Sequence, residues 1–386
     1  MSAPKGKSAA AVLPRWADVG LMPLINLCIA LLVAAIVVAL IGQHPLQVLD
    51  MLVQGAFGSK RGLSYTLYYT TSFIFTGLAV AVASHAGLFN IGAEGQATLG
   101  GLGTGLVALW LSNSLPSFVL WPLMLGAGIL FGMAWAAVPG YLQAWRGSHV
   151  VITTIMFNFL ASALLSYLLV HPLKAGEGMA VESAGFGPAA HLSGIHQVLA
   201  LIGVKWPSSP LNLSFVLALL AAAAMQVFLW RTRAGYRLRT VGSGPGAAEY
   251  AGINPRHQVL LAMAISGALA GMVGMNEIAG VNDKLLLDFV AGAGFTGIAV
   301  AVMGRNHPVG ILMASLLFGA LFQGGAEVAF EVPGFSRDMV VMLQGLIVMV
   351  SGAMSHVVAG PVARLIAGLA ARGPQTAAVG KEVKHG

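Results

Sequence analysis

The sequence predicts an all-α polytopic membrane protein of about ten transmembrane helices, and three observations carry that expectation. Hydrophobic residues make up 57% of the 386 and charged residues only 9%, against about 25% charged in a soluble domain. The mean hydropathy is +0.83. Apolar runs recur through the chain at about the 20-residue length that a bilayer crossing needs, and 50 glycines suit membrane helices that pack closely. Composition alone excludes a soluble globular fold. Residues 1–386 read as a single transmembrane domain without a large extramembrane part.

The elements follow in order. Lys5, Lys7 and Arg15 precede an apolar stretch over 21–42, longer than the roughly 7–15 residues of a secretory signal core, so it reads as an uncleaved signal anchor. The single cysteine, Cys28, lies inside it and excludes an intramolecular disulfide. Spans are then expected at 65–84, 97–113, 118–140, 149–171, 211–230, 259–281, 290–304, 308–330 and 338–359, of which 97–113 and 290–304 are short for a full crossing. Gly128 with Gly132 and Gly267 with Gly271 have GxxxG spacing, a mark of tight helix contact. The loop Pro172–Pro210, with Glu177 and Glu182, carries a short surface helix at Leu192–Leu201. In the polar loop Arg231–Gln258, Pro245 as a starter and Gly252 as a stop predict a helix of about two turns.

Orientation follows from charge. With the N-terminus inside, 14 of the 20 basic residues fall in inside segments and 6 outside, so both termini are expected in the cytoplasm. The net charge of +7 is accounted for in the same way, and no basic groove with stacking aromatics points to nucleic acid. Loop 231–258 is then cytoplasmic, the natural docking place for a soluble partner.

Residues 65–171 and 259–359 each hold four spans, the first set entered from outside and the second from inside, which is the pattern of an inverted repeat. Both halves are interrupted, at Gly87–Gly92 in the first and at Gly292–Phe295 and Gly304–Pro308 in the second. Paired interruptions point to a transport site near the bilayer midplane. Non-helical backbone at that depth must be buried in protein or line a wet cavity. His85, Asn90, Glu94 and Gln96 around the first break, with Asn158 in a later span, are therefore expected along a translocation path, Glu94 foremost because an acid within a span is costly. The plainer reading of Glu94 is a solvated residue in an interfacial turn. Asn276 and Gln323 fit interhelical hydrogen bonds, and Glu277 and Glu327, near the outer ends of their spans, fit solvation.

No phosphate-binding GxxxxGK[ST] loop, HExxH motif, cysteine pair or GxSxG elbow is present. No enzyme activity, metal or cofactor is expected.

Four stretches taken together are familiar: Gly87–Gln96, Thr153–Asn158, the loop from Arg233 through Ile253, and Gly294–Pro308. They resemble the permease subunits of bacterial ABC importers, most of all the nucleoside and simple-sugar branch related to the ribose and branched-chain amino-acid permeases. The resemblance covers about residues 65–359. It implies a multi-pass subunit of the bacterial cytoplasmic (inner) membrane that takes up nucleosides, with a simple sugar, another small solute or a secondary transporter as alternatives. Its implied partners are separate cytoplasmic ATP-binding subunits, a second and different permease, and an extracytoplasmic solute-binding protein. It also implies that Ala247, Ala248, Glu249, Tyr250 and Gly252, approached through Arg237, form the helix that couples to the ATPase. Gly244 departs from the family, which commonly carries Asn there, and puts the turn into that helix in question.

Overall fold

A computed structural model describes residues 22–176, 179–332, 336, 339–343, 345–347 and 349–350. Glu177, most of the expected span 338–359 and both termini lie outside the described residues. The chain divides into two compact units, one of Met1–Pro45 with Gly345–Gly386 and one of Leu46–Gln344. In the first, the described structure is dominated by the apolar helix α1, Met22–Leu40.

The second unit is helical. In order it runs α2 (Pro45–Phe57), α3 (Lys60–His85), α4 (Ala93–Leu111), α5 (Ser117–Arg146), α6 (Val150–Val170), α7 (Ile195–Leu201), α8 (Ser214–Arg231), α9 (Arg233–Ser243), α10 (Pro245–Tyr250), α11 (Pro255–Gly271), a π-helix (Met275–Asn282), α12 (Ala293–Met303) and α13 (Pro308–Glu331). Among the described residues only two isolated β-bridges occur. Among the described residues six helices are long and apolar enough to cross a membrane, or up to seven if Cys28–Leu40 with Pro45–Phe57 counts as one span. This is a multi-pass all-α membrane protein. α4 and α12 sit at the two short spans, and α12 at 11 residues extends only about 16 Å.

α3 is the axis of the unit. It begins at Lys60 rather than 65 because the Ser59 hydroxyl accepts a hydrogen bond from the Gly62 N–H at 2.9 Å and caps it. Its most apolar window is 89% buried, against 22–28% for α5, α6 and α8. An apolar helix with so little cover must turn its remaining surface to lipid or to another subunit. α3 packs against α8, α11, α12 and α13, with Gly77 against Val300 and Gly297 against Thr76. The two GxxxG pairs, expected to mark tight helix contact, do so against each other. A methyl group at Gly132 would run into the Gly267 carbonyl, and one at Gly271 into the Gly128 carbonyl.

Candidate functional site

The first break, residues 86–92, is folded by its own amides. Asn90 is fully buried. Its Oδ1 accepts from the Gly92 N–H at 2.8 Å, and its Nδ2 donates to Gln96 Oε1 at 3.1 Å and to Ser266 Oγ at 2.8 Å. Ser266 in turn donates to the Ala79 carbonyl at 2.6 Å. Asn158, from α6, accepts from the Gly95 N–H at 2.9 Å and donates to the Ile91 carbonyl at 3.0 Å. Backbone groups that lose their helical partners at a break must find others, and these side chains supply them. The amides at 90, 96 and 158 thus gather at the first break, with their hydrogen bonds directed at the break itself.

Glu94 reaches across to the second half. Oε1 accepts from the Gly292 N–H at 2.9 Å and Oε2 from the Gly294 N–H at 2.7 Å. The carboxylate therefore caps the N-terminus of α12, where unpaired N–H groups and the helix dipole favour a negative charge. Gly292 has φ +80, and a methyl group at Gly294 would collide with the Glu94 backbone. The interruptions at Gly87–Gly92 and Gly292–Phe295 thereby meet, with the carboxylate half-buried between two helix starts rather than solvated in a turn.

His85 closes the opposite end of α12. Its Nε2 lies 2.9 Å from the Asn306 carbonyl, so the proton is on Nε2 and donates. Its ring meets Trp230 edge-on, with centroids 6.0 Å apart.

The polar loop holds the expected short helix as α10, preceded by α9, which the sequence does not predict. α9 is capped by the Thr232 hydroxyl, which accepts from the Gly235 N–H at 3.0 Å. α10 starts at Pro245 and is followed by Gly252 at φ +73. Gly244 has φ −177, an extended conformation open to any residue, so the departure from Asn leaves the turn intact. Ala248 is buried, Arg237, Ala247, Glu249 and Gly252 are exposed, and Tyr250 is 98% exposed. Beneath them, Gly242 of α9 lies against the His85 carbonyl and Gly87 N so closely that a methyl group would not fit.

Glu277 is a correction. It is half-buried, not solvated, and its carboxylate accepts from the Tyr68 hydroxyl, from Ser72 Oγ at 2.7 Å and from Asn276 Nδ2 at 3.2 Å. The π-helix turns Asn276 and Glu277 together onto α3. The sequence carries no signal for Ser266 as a partner of Asn90, for Trp230 at this junction, or for Tyr68 and Ser72 around Glu277.

The family model for the permease component of branched-chain amino acid transport systems matches residues 62–352. The chain is similar to a glucose ABC transporter permease protein of Haloferax volcanii, 35% identical over 342 residues and covering 87% of both chains. It is 34% identical over 328 residues to a nucleoside ABC transporter permease protein of Lactococcus lactis, covering 82% of this chain and 85% of that one. It is 33% identical over 345 residues to a guanosine ABC transporter permease protein of Bacillus subtilis, covering 87% and 95%. With six or more membrane-crossing helices, paired breaks and an exposed loop helix, the chain belongs to this family of ABC-transporter permeases, the permease component of branched-chain amino acid transport systems.

Proposed function

We propose that the chain is one permease subunit of an importer that takes up nucleosides across the bacterial cytoplasmic membrane, with both termini cytoplasmic. It is paired with a second, different permease, fed by an extracytoplasmic solute-binding protein, and driven by ATP hydrolysed on separate subunits, this chain having no ATPase site of its own. The observation that carries the coupling reading is the exposed surface of α9 and α10, with Arg237, Ala247, Glu249 and Tyr250 outward and Gly242 seated on the start of the first break. Ala248 faces inward and Gly252 ends the helix. Force applied to this surface is delivered to a broken span, as alternating access needs.

The recurring order of span, break, helix and long helix supports an inverted repeat, with α3, α4, α5 and α6 in the first half, about 65–171. α11 with the π-helix, α12 and α13 open the second, about 259–359. The cytoplasmic coupling loop is 231–258. His85, Asn90, Glu94, Gln96 and Asn158 border the translocation path. Because their hydrogen bonds serve the breaks and α12, they set its shape rather than grip the solute. Nucleosides are favoured by the nucleoside and guanosine permeases among the relatives, and a simple sugar is the second reading, favoured by the glucose permease.

The test is uptake by the purified complex in vesicles, with labelled guanosine, uridine and glucose offered in parallel. ATP-dependent accumulation of the nucleosides is expected; accumulation of glucose alone would transfer the reading to sugars. Alanine at both Glu249 and Tyr250 is expected to cost at least tenfold in uptake by weakening ATPase binding, about 1.4 kcal/mol or more, measured by co-purification.

A further inference from the structure

α12 is held at both ends by residues of the first half. Glu94 caps its N-terminus through Gly292 and Gly294, and His85 binds the Asn306 carbonyl in the turn just past its C-terminus. That turn is conformationally demanding, since Arg305 and Asn306 are both left-handed, at φ +56 and +55, a region L-residues enter reluctantly. Between its ends α12 lies along α3, with Val300 against Gly77. A short helix gripped in this way moves as a body or not at all.

The C-terminal grip is continuous with α9. Trp230, the penultimate residue of α8, has the His85 ring at 6.0 Å and the His307 ring at 6.0 Å. The guanidinium of Arg239, from α9, lies over the indole at 4.3 Å from its centroid, within the range of a cation–π contact. Arg239 Nε also donates to the Leu229 carbonyl at 3.0 Å, so the cation sits on the C-terminus of α8, where the helix dipole favours it. One indole therefore touches α9, the end of α3 and the turn after α12. Nothing in uniform lipid-facing packing calls for an arginine and two histidines around one tryptophan.

We propose that Trp230 is the joint that passes movement of α9 and α10 to α12, with Arg239 as the link on the loop side and His85 as the link on the span side. The inference rests on the coupling reading above. These three are positioning residues: they touch neither ATP nor, on this reading, solute. Movement of α9 carries Arg239, which shifts the indole, and the indole meets His85, which holds the Asn306 carbonyl, and His307 at the end of the 304–307 turn. Glu94 holds the far end, so α12 pivots about its N-terminus.

The experiment compares uptake per ATP hydrolysed in the reconstituted full complex for wild type, Trp230→Ala, Trp230→Phe and Arg239→Gln. In Trp230→Ala and Arg239→Gln the ATPase is expected to stay bound and to hydrolyse ATP at its basal rate, while uptake per ATP falls about two- to thirty-fold, the range of coupling changes seen along such contacts. Trp230→Phe keeps a ring face for the cation and is expected to recover most of the ratio. Loss of packing alone would lower the amount of complex without changing the ratio. If Trp230→Ala does not accumulate, Arg239→Gln, on a half-exposed side chain, decides. An unchanged ratio in an assembled variant, beside a wild type that couples normally, overturns the joint alone. A wild type that holds no ATPase overturns the coupling reading and this inference with it.

Discussion

The two breaks are built differently. The first, at 86–92, is held by buried amides: Asn90 and Gln96 lie in or next to it and bond each other, Asn90 accepts from the Gly92 N–H two residues on, and Asn158 and Ser266 complete the set from α6 and α11. The second, Gly292–Phe295, is entered through residues 283–292, with Asp283, Asp288 and Ala291 at φ +51, +53 and +49, and much of what holds this segment is borrowed. Glu94 comes from α4, Ser183 exchanges hydrogen bonds with Leu285, and His191 and Glu182, from the 172–210 loop, pair with Asp283 and Lys284. Left-handed L-residues cost about 1–2 kcal/mol each and persist only where surroundings over-determine them. One break is thus fixed by paired, buried amides, and the other is a left-handed segment whose backbone cost must be offset by contacts from elsewhere in the chain.

That contrast can be broken at its strong side first. Asn90→Ala removes the partners of Gly92, Gln96 and Ser266 at once and is expected to lower stability by about 3 kcal/mol, seen as an earlier thermal transition in detergent. Molecules that still reach the membrane are expected to keep wild-type solute selectivity; a changed selectivity with unchanged stability would put Asn90 in contact with solute. Glu94→Ala is expected to cost about 2 kcal/mol and, unlike Asn90→Ala, to raise hydrogen exchange at 283–294 while leaving 86–92 protected. Equal deprotection of both breaks would erase the distinction. The smallest effect sharpens the comparison: Ala291→Gly, at an exposed left-handed site, is expected to stabilise by about 0.5–1 kcal/mol. The matching change at a right-handed position such as Ala93 is expected to destabilise.

Much of this was legible because its signals are local. Apolar runs gave the spans, Gly87 through Gly92 gave the first break, and Pro245 with Gly252 gave α10 to within a residue. The meeting of Glu94 with Gly292 was half-legible, since both ends were marked as interruptions but nothing in either marks the other as its partner 198 residues away. Glu277 was misread for the same reason. Its hydroxyl donors come from α3, more than 200 residues upstream, and the π-helix that aims it inserts an extra residue per turn that a 3.6-residue period conceals. α2 was absent from the expected elements because its polar positions, Gln47, Asp50 and Gln54, keep it below the apolarity of a span. The expected count of ten rested on apolar runs alone; among the described residues six or seven helices qualify, and most of the expected span 338–359 lies outside those residues.

The glycine contacts between α5 and α11 carry one last consequence. Each of Gly128, Gly132, Gly267 and Gly271 gives up about 1 kcal/mol of helix propensity relative to alanine, and alanine, the mildest exchange available inside a helix, has no room there. With each carbonyl set into the notch left by a missing side chain, the two helices cannot slide along one another without first separating. A machine whose parts must move needs a chassis against which movement is defined, and here it is made of bare backbone, where no rotamer can yield.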